Sequence, residues 1–294
     1  MIDKELVDLL QAYVRPRTRP DASPYQALLL SDAWALVKKT GLSLRDIESA
    51  ALETGIVPER YSRNQRSLTC ADQLRLLHSH VAIIGLGGLG GTVTEILARL
   101  GIGRLTLVDG DCLDESNLNR QLLSSTATIG KPKAEAAQLR VQQINPAVEV
   151  HMVPEFFCTD NGRTILQGAQ LAIDCLDSIR DRFVLEEACR TASIPLISAA
   201  IGGSSGRATV IMPGDPGLKG LYGPPGKAPQ KGTEAITGTL PFVAMYMAAV
   251  ECAEATTILL GRPSVLRNKL FVAETTDHST ELFSLPGVPG QSVD

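Results

Sequence analysis

Six residues decide most of what this chain can become. Gly85-Leu86-Gly87-Gly88-Leu89-Gly90 follows the apolar run 81–84 and precedes Val93, Ile96, Leu97 and Leu100, which recur at helical spacing. A short run that is apolar throughout reads as a strand covered on both faces. A G-x-G-x-x-G turn joining such a strand to a helix has three physical uses. Gly85 permits the tight turn, Gly87, with Gly88 beside it, lets a ligand approach the backbone, and Gly90 lets the helix pack on the strand. The unpaired amides at the helix start favour an anion. NAD, FAD and ATP sites can all use this turn, so by itself it says only that a nucleotide binds.

The remaining sequence repeats the alternation of strand and helix. Strands are expected over 105–108, 148–153, 171–175, 195–199, 208–212, 270–274 and 281–285, with helices over 132–144, 182–192 and 242–260. That order implies an α/β fold with a doubly wound, mostly parallel, Rossmann-like sheet. Residues 1–58 read as a helical N-terminal extension with no strand pattern. One helical run covers 24–39 and is broken by Gly41; another opens at Ser43, with Asp46 in a capping-box position. Residues 59–286 form the nucleotide-binding domain. Within it, the Gly- and Pro-rich stretch 213–232 is expected to be a mobile loop, and 287–294 a tail.

Composition removes several function classes. The 28 basic and 32 acidic residues leave a formal charge of −4, with no positive excess to attract nucleic acid or an anionic membrane. The extension could suggest a helix-turn-helix, but Arg45 is outnumbered by Asp46, Glu48 and Glu53, which repel phosphates. Asp3, Lys4, Glu5 and Asp8 interrupt any signal-peptide core. No run approaches the roughly 18 apolar residues of a spanning helix; the longest candidate is 240–250. Six scattered cysteines without a C-x-x-C pair read as free thiols of a cytoplasmic protein.

The chemistry-bearing residues follow the glycine turn. Asp109 ends the second strand and suits ribose hydroxyls, with Asp111 two residues on. Asn117, Asn119, Arg120, Gln121 and Lys133 then supply amides, a guanidinium and an ammonium able to hold a triphosphate and neutralise a departing pyrophosphate. An NAD(P)-dependent oxidoreductase would use the turn and Asp109 but has no obvious need of that cluster. Asp177 lies just past the strand ending at Cys175, where open α/β sheets place ligands, and is the candidate Mg²⁺ ligand. Asp174, inside the strand, is the lesser candidate.

GLGGLG, D-x-D, S-N-L-N-R-Q and G-K-P-K occur here in one order and spacing. Over about 60–285 the chain thereby resembles the MoeB/ThiF/HesA adenylyltransferases, prokaryotic relatives of ubiquitin-activating enzymes. The resemblance implies adenylation, by MgATP, of the C-terminal glycine of a small ubiquitin-like sulfur carrier protein ending in Gly-Gly. It assigns the ribose to Asp109 and the phosphates to Asn117, Arg120, Gln121 and Lys133, with Mg²⁺ on Asp177. Arg60-Tyr61-Ser62-Arg63 resembles the family's R-Y-x-R motif, which makes Arg63 an arginine finger reaching the opposite subunit of a homodimer.

Two departures matter. Where many members carry zinc-binding C-x-x-C pairs, this chain reads Gly217-Leu218-Lys219-Gly220 and LPGVPG, so no zinc is expected. No thiol precedes Gly238-Thr239-Leu240-Pro241, and Cys252 reads as packing, so the chemistry is expected to stop at the acyl-adenylate. The 213–232 loop is the expected clamp over the carrier's tail, and 242–246 a surface for its body. Three alternatives stay open: adenylation of a small molecule, peptide terminus or tRNA base; the oxidoreductase; and a non-catalytic scaffold.

Overall fold

The computed structural model describes residues 4–228, 232 and 234–285. Its N-terminal extension corrects the all-helical expectation. Helices Lys4–Gln11, Leu30–Thr40 and Leu44–Glu53 are present, but β1 (Arg15–Thr18), β2 (Pro24–Leu28) and β3 (Val57–Pro58) also form a small three-stranded sheet. The predicted run 24–39 is therefore a strand followed by a helix. The reversal before β2 is made by Asp21, whose Oδ1 accepts from the N–H and hydroxyl of Ser23. Such aspartate turns compete with helix. Ser43 and Asp46 do form a reciprocal capping box.

Arg60 and Tyr61 dock this extension. Arg60 pairs with Glu48, which is buried on helix Leu44–Glu53. Tyr61 is fully buried, and its hydroxyl accepts from Asn145 Nδ2 at 2.8 Å.

The main sheet centres on the strand that feeds the glycine turn. β4 (His80–Ile84) lies between β5 (Arg104–Val108) and β7 (Leu171–Asp174), with β6 (Glu149–Val153) beyond β5 and β8 (Leu196–Gly202) beyond β7. All five run parallel. β9 (Ser205–Ile211), β10 (Lys269–Glu274) and β11 (Ser279–Ser284) continue the sheet antiparallel, giving the order β11-β10-β9-β8-β7-β4-β5-β6. Successive connections leave β4 toward β5 and return to its other side at β7. The crevice at the carboxyl ends of β4 and β7 is thus the switch point where such sheets bind ligands.

Helices Gly88–Leu100 and Pro241–Leu259 pack together on one face of the sheet, and helix Ile179–Ala192 covers the other. Pro241–Leu259 is long and apolar enough to cross a membrane by length and composition, beyond what the run 240–250 suggested. Here it is a core helix, with Val243, Met247, Ala255 and Leu259 buried. Cys252 is buried on it beside the backbone of Val93. The stretch expected to be a mobile loop includes helix Lys219–Tyr222. Leu218 is fully buried just before it, and Tyr222 packs edge-on against Phe183. The tail 287–294 lies outside the described residues.

Candidate nucleotide site

The glycine turn is forced by contacts on both sides. Gly85 has φ +90°, and a Cβ there would stand 2.7 Å from the carbonyl oxygen of Cys175. At Gly90 a Cβ would come within 1.8 Å of the Gly85 oxygen, so only glycine lets helix Gly88–Leu100 start so close to β4. Gly90 lies beneath the turn; Gly85, Gly87 and Gly88 line the cavity above it, which measures about 660 Å³. That volume lies within the range of small-molecule sites. The start of the helix presents amides toward it.

One wall comes from the ends of β5 and helix Lys133–Ile144. Asp109 Oδ2 accepts the Leu86 N–H at 2.7 Å, and Oδ1 accepts the Asp111 N–H at 2.8 Å. Asp109 therefore also braces the glycine turn. Burial pushes its carboxyl above the usual range, opposed by those two amides and by Lys133. Lys133 is buried and donates to Asp111 Oδ2 at 2.9 Å, with Asp109 Oδ2 at 3.9 Å. Arg120 is held by the Ser116 carbonyl and the Asn119 side chain. Gln121 is buried next to Gly87, and its Oε1 has no hydrogen-bond partner among the described residues.

The opposite wall is the turn after β7. Asp177 is exposed and lines the cavity, and no hydrogen bond or ion pair engages its carboxylate among the described residues. Ser178, its neighbour, caps helix Ile179–Ala192 by accepting the Asp181 N–H. Capping, which could have accounted for Asp177, is thus done by serine. Asp174 cannot serve as a metal ligand as it stands. It is fully buried and bound by Arg182 and Ser198, and burial raises its carboxyl.

Five of the residues read from the sequence stand outside the cavity lining: Gly90, Asn117, Asn119, Asp174 and Arg63. Asn117 is buried, and its Oδ1 accepts the Asp114 N–H, so it shapes the loop that carries Arg120. Arg63 is exposed on the surface of this single chain. Conversely, Arg180, Asp181, Phe156 and Thr239 line the cavity without having been read from the sequence. Arg180 and Asp181 lie three and four residues past Asp177, a helical spacing that would have pointed to them. Phe156 follows β6 in a segment with no motif.

The charge count is informative. The lining holds four acids, Asp109, Asp111, Asp177 and Asp181, and four bases, Arg120, Lys133, Arg180 and Arg182, of which Arg182 is already neutralised by the buried Asp174. A triphosphate added to a site with no excess positive charge needs a cation brought with it. Among the described residues no group of three or more His, Cys, Asp or Glu side chains could hold a metal alone. A single free carboxylate such as Asp177, completed by phosphate oxygens and water, is how magnesium is commonly held.

Residues 61–288 match the ThiF family. The SAMP-activating enzyme E1 of Haloferax volcanii is 32% identical over 228 residues, covering 76% of this chain and 83% of that protein. The sulfur carrier protein adenylyltransferase of Thermus thermophilus is 33% identical over 218 residues, covering 70% and 79% respectively. In fold, the chain is similar to E. coli MccB solved with MccA-N7isoASN, with a TM-score of 0.65 and 22% identity over 96% of this chain and 97% of that one. That likeness reaches across the N-terminal extension, which precedes the family match.

Proposed function

The chain belongs to the ThiF family and is an adenylyltransferase; from that premise we propose that it uses MgATP to adenylate the C-terminal glycine of a small ubiquitin-like sulfur carrier protein. The observation that carries the reading is the convergence of Arg120, Lys133 and Asp177 on one cavity beside the glycine-turn amides. The sulfur carrier protein adenylyltransferase of Thermus thermophilus supports the substrate class.

The terminal carboxylate of the carrier attacks the α-phosphate in line, the bond to the β-phosphate breaks, and acyl-AMP and pyrophosphate form. A carboxylate is ionised near neutral pH, so no general base is needed. What the chain supplies is position and charge. The amides of the glycine turn and Gln121 hold the phosphates, Asp109 grips the ribose, and Lys133 turns from Asp111 toward the pyrophosphate. Arg120 neutralises charge on the leaving group. Asp177 would hold magnesium, which would supply the positive charge that the lining lacks.

Arg63 completes the site from a second copy of the chain, so the working form is a homodimer. The carrier's tail enters past Thr239, whose carbonyl is tied to Asn119 Nδ2 at 3.3 Å, under the described part of the clamp loop, 213–228. Its body rests on the exposed Phe242, Met245 and Tyr246.

ATP–pyrophosphate exchange tests the reading. A small protein ending in Gly-Gly should stimulate exchange, and the same protein without those glycines should not. Exchange driven by a small molecule, a peptide or tRNA in its place would overturn the carrier assignment. Thermal protection by NAD without protection by ATP would overturn the nucleotide assignment.

A further inference from the structure

Arg182 is 4% exposed, and its guanidinium is fully occupied beneath the site. Nη1 donates to Asp174 Oδ2 at 2.9 Å, to Ser198 Oγ at 3.2 Å and to the Ala199 carbonyl at 2.6 Å. Nη2 donates to the Leu176 carbonyl. Asp174 Oδ1 in turn accepts the Leu176 N–H at 3.1 Å. Both polar groups of Leu176 are thereby fixed, one by each member of the pair. The next residue is Asp177, and the one after it, Ser178, is fixed by its cap on helix Ile179–Ala192.

An arginine present only to neutralise Asp174 needs no contact with backbone. Here two of its contacts go to carbonyls, Ala199 within β8 and Leu176 just past β7, and the latter adjoins Asp177, the one cavity acid on this turn outside the helix among the described residues. Cys175, within the same turn, presses its carbonyl against Gly85, so the glycine turn and the Asp177 turn are set against each other. We propose that Arg182, held by Asp174 and Ser198, is a positioning residue that fixes the Asp177 carboxylate for its metal. The inference rests on the reading of Asp177 as the magnesium ligand. Residues that orient a ligand from behind typically change metal affinity about 10- to 100-fold when altered.

Mn²⁺ titrated by electron paramagnetic resonance into the full-length protein, with a non-hydrolysable ATP analogue present, tests it. Arg182→Lys keeps the charge but loses the fork that reaches Asp174 and Leu176 together. It should weaken Mn²⁺ about tenfold or more, leave metal-free nucleotide affinity unchanged, and regain exchange at high Mg²⁺. Ser198→Ala, which leaves the ion pair, should weaken Mn²⁺ about two- to threefold. If Arg182→Lys does not fold, Ser198→Ala decides. Folded variants that bind Mn²⁺ like the parent, beside an Asp177→Asn control that has lost it, would overturn the positioning role and leave the metal reading intact. An Asp177→Asn protein that binds Mn²⁺ normally would overturn the metal reading itself.

Discussion

The two halves of the main sheet end in opposite kinds of surface. At the carboxyl ends of the parallel strands the cavity has polar groups held in place. Asp109 is bound by two backbone amides, Lys133 by Asp111, and Arg182 by Asp174 and two carbonyls. The antiparallel half is built for contact instead. β11 is exposed along its whole length, and Phe242, Met245, Tyr246 and Leu282 are each at least 40% exposed. Tyr246 packs edge-on against Phe271, which pairs with Leu282, so strand and helix share one apolar face. Prearranged charge suits a small polyanion, because once Lys133 has turned to the bound nucleotide the site need not reorganise at the moment of reaction. A contiguous apolar patch suits a protein. The difference teaches how the proposed function would divide within one domain, with nucleotide chemistry at one end of the sheet and a face for the carrier at the other.

The largest effects should separate the halves cleanly. Asp177→Ala and Arg120→Ala should each lower carrier-dependent exchange by about 10³- to 10⁵-fold, the scale of losing a charge contact to a transferring phosphoryl group, with the melting temperature little changed. Arg63→Ala should fall on the same scale. Mixing Arg63→Ala with Asp177→Ala subunits should restore about a quarter of parental activity, since half the dimers of a random mix then hold one intact site. No recovery on mixing would remove Arg63 from the partner's site.

On the antiparallel half, Phe242→Ser with Tyr246→Ser should raise the KM for the carrier about tenfold or more, as buried aromatic anchors do, and leave the KM for ATP alone. An equal rise for both substrates would erase the division of labour.

The smallest expected effect lies on the seam. Glu251, on helix Pro241–Leu259, is fully buried near Cys175, and its Oε1 has no partner among the described residues. Burial and then the charge of Asp174 push its carboxyl well above the usual 4.5. A raised folded-state pKa gives stability that is complete below about 4.5 and declines as pH rises toward the folded value. Glu251→Gln should therefore match the parent at pH 4 and be the more stable of the two at pH 8. Denaturant midpoints at the two pH values check this; a constant difference would contradict it.

How much of this was legible in the sequence follows the same division. The glycine turn, the strands of the parallel half and the cavity positions of Asp109, Arg120, Lys133 and Asp177 could be read because backbone sterics and strand ends constrain them locally. Asn117 could not be distinguished from Arg120 by spacing, since a loop amide that closes a turn looks like one that faces a ligand. β1 and β2 were hidden because Arg15-Pro16-Arg17 carries no apolar alternation and its strand is exposed throughout. The charge balance of the cavity was also invisible. It depends on Arg180, Asp181 and Arg182, which read as ordinary residues of a helix start until the sheet brings them opposite Lys133.

A crystal structure of the chain with a non-hydrolysable ATP analogue and Mn²⁺ tests the central claim most directly. The map should show a triphosphate between the glycine-turn amides and Arg120, Lys133 withdrawn from Asp111 onto it, and an anomalous Mn²⁺ peak on the Asp177 carboxylate. Phosphates lying away from Arg120 and Lys133, or a metal peak that leaves Asp177 untouched, would contradict it.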